Sequence, residues 1–250
     1  MATDLAQTNL QLYRQLHDRG WPLDDIRTIQ HDYEIILPVM AGWARGCGKP
    51  ILSHLVGTAS ALADEGLPLR VVRLGLTHAI YQYGLLNLNA PGQVARRRAR
   101  LKDLLGEELE ADIFRYRVTD FKIDDVRGFL DNFDALDSSD RRVLTAYLGN
   151  EVDDHLDGSC LLTDKPRKHH PDWLPLCIEL CGLLKLPGLA ARLEVNHEME
   201  ERNGWMRGLA LNRPGSFDAT PPPPEPQPVA RRRKPMLNRL RAFVARRLRA

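Results

Sequence analysis

The chain has 250 residues, 43% hydrophobic and 27% charged, enough apolar material for a sizeable core and unlike low-complexity or collagen-like sequences. No apolar run approaches the roughly 18 to 20 residues of a membrane-spanning helix, and the opening MATDLAQTNLQLYRQ lacks the regions of a secretory signal, so a cytoplasmic protein is expected. The net charge of +2 is unevenly spread: nine of the 35 Lys and Arg and no acid lie from Pro226 onward, leaving 26 bases against 33 acids, a net −7, over residues 1–225. An acidic body is a poor partner for nucleic acid, which is not expected to be a ligand.

Taken in chain order, apolar residues recur at helical spacing: Leu5, Leu12 and Leu16; Ile26, Ile29, Tyr33, Ile36, Leu37 and Met40; Leu52, Leu55, Val56, Ala59 and Leu62; Val71, Val72, Leu74 and Leu76. Pro22 to Asp25 opens the second helix, and Gly66-Leu67-Pro68 breaks the chain before the next one at Leu69. Further helices are predicted near 94–105, 107–117, 139–156, 172–185 and 188–201. No stretch alternates at period two with Val, Ile and Thr, so no sheet is expected and the fold class is all-α.

The helical pattern stops at Pro214. PGSFDATPPPPEPQPVA reads as a semi-rigid polyproline spacer, giving a helical domain at 1–213, a linker at 214–230 and a basic tail at 231–250. In the tail, Met236, Leu237, Leu240, Phe243, Val244 and Leu248 fall on one helical face, with Arg239, Arg241, Arg246, Arg247 and Arg249 around the rest. Such a helix is expected to lie on an anionic membrane surface, which would make the protein peripheral at the inner face of the membrane. A protein groove, or the acidic body itself, is the other expected dock for residues 236–249.

Cys47, Cys160, Cys177 and Cys181 are too few and scattered for a disulfide framework. Cys177 and Cys181 share one face of an apolar helix and read as core; a metal pair completed by His169 and His170 is the alternative. Arg96, Arg97, Arg98 and Arg100, followed by Asp103, Glu107, Glu108 and Glu110, read as an ion-paired helix surface.

Arg45-Gly46-Cys47-Gly48-Lys49-Pro50 is not a phosphate-binding loop. That motif needs a glycine where Trp43 stands and Ser or Thr where Pro50 stands, so the segment reads as a tight turn between helices. His54 follows four residues after Pro50, and His78 comes 24 residues later in H-A-I-Y-Q-Y. The Pro68 turn lets the second of these helices run back along the first and bring the imidazoles together. A lone His among Leu52, Leu55 and Val56 is ordinarily a core residue; two at this spacing after the R-x-x-G-x-P segment Arg45–Pro50 favour a pocket.

With Arg45, Gly48, Pro50 and His54, the segment R-G-C-G-K-P-I-L-S-H resembles the opening R-x-S-G-x-P-x-x-x-H of the HD-domain superfamily of metal-dependent phosphohydrolases, in particular the hydrolase domain of the stringent-response alarmone enzymes, with Cys47 in place of serine. The resemblance covers about residues 22–157 and implies an HD-like helical bundle. It also implies a pocket in which Arg45 packs on a base or phosphate, His54 contacts the ligand, and His78, Gln82 and Asn150 line the floor.

The departures from that family shape the expected function. The His-Asp doublet is His78-Ala79 here, the acidic pair after it falls on Gln82 and Tyr83, and Asn150 stands where the later helix would offer a carboxylate. A hard divalent ion prefers carboxylate oxygen, and without a bound ion there is no acidified water to attack phosphorus. The expectation is therefore a degenerate metal site with no cofactor, in a non-hydrolytic binder or sensor of a nucleotide or other phosphorylated small molecule. The alternative is a metal-dependent phosphohydrolase in which His54, His78 and a relocated Asp154 hold Mn, Fe or Zn, Asp154 lying one turn beyond Asn150. On the stripe Val143, Leu144, Tyr147, Leu148, Val152, Asp154 sits at the edge and Asp153 is expected to turn away.

Overall fold

A computed structural model describes residues 5–45, 47–83, 86–88, 92–156 and 170–204. The proline-rich linker, the basic tail, Cys160 and His169 lie outside the described residues. The described part is all-α: α1 (Asn9–Asp18), α2 (Leu23–Met40), α3 (Ile51–Asp64), α4 (Leu69–Thr77), α5 (Val94–Leu105), α6 (Glu107–Val118), α7 (Ile123–Asp131), α8 (Ser138–His155), α9 (Trp173–Leu184) and α10 (Pro187–Arg202). Short 3-10 turns follow α4 at Ile80–Gln82 and α7 at Phe133–Ala135. None of the described helices is long and apolar enough to cross a membrane.

The five helices predicted from α5 onward agree with the observed bounds to within a residue or two. α7 was not among them. Its apolar residues Ile123, Val126, Phe129 and Leu130 recur at helical spacing, although only Val126 is fully buried.

Helix ends follow local chemistry. Thr8 caps α1 in a box with Gln11, and Asp137 caps α8 by accepting from the backbone of Ser139 and Asp140. α3 ends where Gly66 takes φ of +78°, with its N–H on the Ala63 carbonyl and that of Leu67 on the Leu62 carbonyl; this closure reverses the chain into Pro68 and α4. The reversal sets α4 back against α3.

α8 is the central helix, packing against α3, α4, α6, α9 and α10. Every residue from Val143 to His155 is buried. Close approach around it depends on absent side chains: a Cβ on Gly149 of α8 would meet Leu62 of α3 at 2.7 Å, and one on Gly75 of α4 would meet the same leucine at 2.4 Å. Removing these methyl groups lets three helix backbones converge, which places their polar residues within contact of each other.

α10 is fixed to α8 by a second buried polar group, in which His155 Nδ1 bonds Glu200 at 2.7 Å and Trp173 of α9 stacks on the imidazole at 4.2 Å between ring centroids. Cys177 and Cys181 of α9 are buried in the core, as read from sequence, and burial pushes the Cys181 thiol up to about 12. Arg98 pairs with Glu110 across the α5–α6 hairpin, yet Glu110 is fully buried and also accepts from Tyr81 Oη at 2.6 Å, so this pair is an internal bond rather than part of a solvated surface.

Candidate functional site

The loop between α2 and α3 is a tight turn, with Ala44 bridged to Pro50 and the Arg45 N–H donating to the Lys49 carbonyl at 2.8 Å. It sets Arg45 and Lys49 side by side at the N-terminal end of α3, one turn from His54. His54 lies in α3 and His78 caps the C-terminal end of the adjacent α4, and their rings stand edge-on with centroids 5.4 Å apart. Both are buried.

Each imidazole is fixed through its Nδ1. Nδ1 of His78 donates to the Gly75 carbonyl at 2.8 Å. Burial, then the neighbouring His54, pushes His78 down to about 3, so its Nε2 carries a lone pair at neutral pH. Nδ1 of His54 donates to Oδ2 of Asp153 at 2.7 Å. The pKa of His54 is lowered as well, by burial and by the Arg45 charge, against the pull of Asp153.

Asp153 is fully buried and accepts from Lys49 Nζ at 2.9 and 3.0 Å. Burial would raise its pKa, but the bonds from His54 and Lys49 outweigh that and hold it below the ordinary value. The expectation that Asp153 turns away is therefore wrong. It assumed one apolar stripe and one solvated face, whereas α8 has neighbours on all sides and a residue off the stripe still points into protein.

Asp154 pairs with Arg45. Nη1 of Arg45 also lies over the imidazole edge of His54, 2.7 Å from Nδ1 and 2.9 Å from Nε2; with Nδ1 committed to Asp153, Nε2 is the acceptor. Burial alone would lower the Arg45 pKa, and the Asp154 carboxylate reverses the sign and raises it. His54, Asp153 and Asp154 offer one ligand atom each within 4.8 Å of one another, a donor set compatible with a divalent cation. The hollow thus holds two carboxylates, correcting the sequence expectation of neutral side chains alone.

These groups lie at one end of a cavity of about 450 Å³. Arg45, His54, His78, Gln82, Asn150 and Asp154, singled out from sequence, all line it. Asn150 Nδ2 lies 3.1 Å from Glu151 Oε1 and 3.4 Å from Asp154 Oδ2, so its amide separates two acids. The remaining wall carries Tyr83, Tyr116, Phe121 and Arg117, together with Ile51, Ala79, Thr119 and the acidic Asp120. Tyr116 packs on His78 at 4.8 Å and on Phe121 at 5.2 Å between centroids. Sequence reasoning missed Lys49, Asp153 and, Tyr83 apart, this wall; the acidic doublet near the end of α8 was a signal for Asp153.

A family model described as a domain of unknown function, DUF6817, matches residues 39–120. The matched stretch contains the Arg45–Lys49 loop, both histidines and the Tyr116–Arg117 wall, and ends before α8 supplies its carboxylates. No curated protein matches the chain.

Proposed function

We propose that this cavity binds a nucleotide or other phosphorylated small molecule without hydrolysing it, on a scaffold of the HD-domain type. One observation carries the reading: Nη1 of Arg45 contacts both His54 and Asp154, so the protein's own guanidinium sits among the groups that would otherwise hold a metal ion. A buried cation that neutralises Asp154 removes the charge that would draw a divalent ion. Arg45 and Arg117 offer a fork and a second charge to an anionic group, while Tyr83, Tyr116 and Phe121 offer aromatic surface to a planar ring. Under this reading the basic tail holds the protein at an anionic membrane surface, which co-sedimentation with anionic vesicles, before and after truncation at Pro221, would test.

The test is equilibrium binding of nucleoside mono-, di- and triphosphates to chelator-treated protein, alongside release of inorganic phosphate. Saturable binding lost in Arg45→Ala, with no release, supports the reading. A second reading, metal-dependent phosphoester hydrolysis, draws on the donor set of His54, Asp153 and Asp154, with His78 one ring away. An ion held there would supply an acidified water. Near-stoichiometric Mn, Fe or Zn that disappears in the His54→Ala, His78→Ala double variant, together with phosphate release, would replace the first reading by the second.

A further inference from the structure

We infer that Arg45 is an exchangeable counter-ion, so that an anionic ligand and a divalent cation enter this pocket together and each tightens the binding of the other. The inference rests on the ligand-binding reading above and concerns how that same site is regulated.

The two carboxylates of the hollow differ in how their charge is met. Asp153 is fully buried and held from two sides, by Lys49 Nζ at 2.9 Å and by His54 Nδ1 at 2.7 Å. Asp154 instead lines the cavity, and its ion pair is with Arg45, which lines the cavity too. Asp154, His54 and His78 are anchored by packed helices, whereas Arg45 is carried by a loop and reaches in along a flexible side chain. Arg45 and Lys49 are both carried by the loop, but Lys49 holds Asp153, which does not line the cavity, whereas Arg45 faces the cavity and can change partner while the helix-borne groups stay in place.

A phosphate or carboxylate entering the cavity competes with Asp154 for the guanidinium. If Arg45 turns to the ligand, Asp154 loses the charge of that guanidinium while it stays buried, which is costly. A divalent cation taking the position of Nη1, between Asp154 and His54, removes that cost. Conversely, a cation that arrives alone meets the positive charge of Arg45 at close range. Each partner therefore pays for part of the other's binding, which is reciprocal coupling in the thermodynamic sense. Coupling of this kind is ordinarily worth a factor of 5 to 150, and a change of about tenfold is expected.

The experiment is a Mn²⁺ titration of the full chain, followed by electron paramagnetic resonance of the free ion, with and without inorganic phosphate. The same titrations are made on Arg45→Met and Asp154→Asn. In the parent, Mn²⁺ should bind weakly alone and about tenfold more tightly with phosphate. In Arg45→Met, Mn²⁺ should bind tightly without phosphate, and phosphate should add nothing. Asp154→Asn should bind it weakly in both conditions.

Equal Mn²⁺ affinity in the parent with and without phosphate, unchanged in Arg45→Met, would overturn the exchange. So would phosphate binding with no Mn²⁺ bound by any variant, an outcome that leaves the ligand-binding reading intact. Tight Mn²⁺ binding confined to Arg45→Met, in a parent that binds no phosphate, would instead uphold the antagonism between Arg45 and the cation while removing the ligand. Arg45→Gln serves the same purpose should the Met variant melt early.

Discussion

Gly57 of α3 faces Asp153 of α8 so closely that a Cβ built on the glycine would lie 1.8 Å from the carboxylate oxygen Oδ1 and 2.7 Å from Cγ. The carboxylate cannot simply swing aside, because Lys49 and His54 both hold it. Gly57→Ala should therefore cost about 1 to 3 kcal/mol in urea or thermal melts, the usual range for overpacking. It should also weaken binding in the adjacent pocket, because Asp153 fixes the proton on His54. Melts that superimpose on the parent would mean that α3 and α8 have room to separate without loss.

The buried, neutral His78 makes stability depend on pH in a defined direction. Its pKa falls from 6.5 to about 3 on folding, so below pH 6.5 the unfolded chain binds a proton that the folded chain refuses. Stability is then complete above about pH 6.5 and declines as the pH falls toward 3, with a slope from this one group of up to about 1.4 kcal/mol per pH unit. His78→Leu should flatten the curve over that window. Urea melts at pH 7, 6 and 5 on both proteins measure the difference, and parallel curves would show that the histidine is protonated in the folded state.

Helix positions were legible because apolar spacing and Pro or Gly punctuation act locally. The meeting of His54 and His78 was legible for the same reason, since one turn at Pro68 reverses the chain between them. Asp153 was not. Its partner Lys49 is 104 residues away, and a helix with five neighbours has no solvated face for a sequence argument to assign. Asp154 fell at the edge of the stripe and was legible as a displaced carboxylate, but its pairing with Arg45 required knowing that the α2–α3 loop folds over that end of the cavity. α7 carries the same local signal, Ile123, Val126, Phe129 and Leu130 at helical spacing, and was overlooked rather than hidden.

Asn150 separates Glu151 and Asp154, and Asn150→Asp tests what that amide does. In place of a donor, the variant puts a third acid beside two others at a buried position, with no base added. Destabilisation of roughly 3 kcal/mol is expected, the scale of an uncompensated buried charge. Millimolar Mn²⁺ or Mg²⁺ should recover part of the lost Tm in the variant and leave the parent nearly unchanged. A variant that melts like the parent, with or without metal, would show that the new acid stays protonated.

Leu62 touches the positions where Gly149 and Gly75 lack side chains, so its bulk and their emptiness are one packing solution. Leu62→Ala should cost about 2 to 5 kcal/mol, as a fully buried leucine replaced by a cavity. Gly149→Ala alone should cost about 1 to 3 kcal/mol, because Leu62 Cδ2 and Cγ at 2.7 and 2.8 Å must move, offset in part by roughly 1 kcal/mol of helix propensity. In the double variant the new methyl enters the space that the leucine vacated. Its loss should therefore fall short of the sum by about 1 kcal/mol or more, a coupling typical of residues in contact. Additive losses in chemical melts would mean that α3 and α8 respond to each change separately. The convergence of α3, α4 and α8 that gathers His54, His78 and Asp154 would then need another cause.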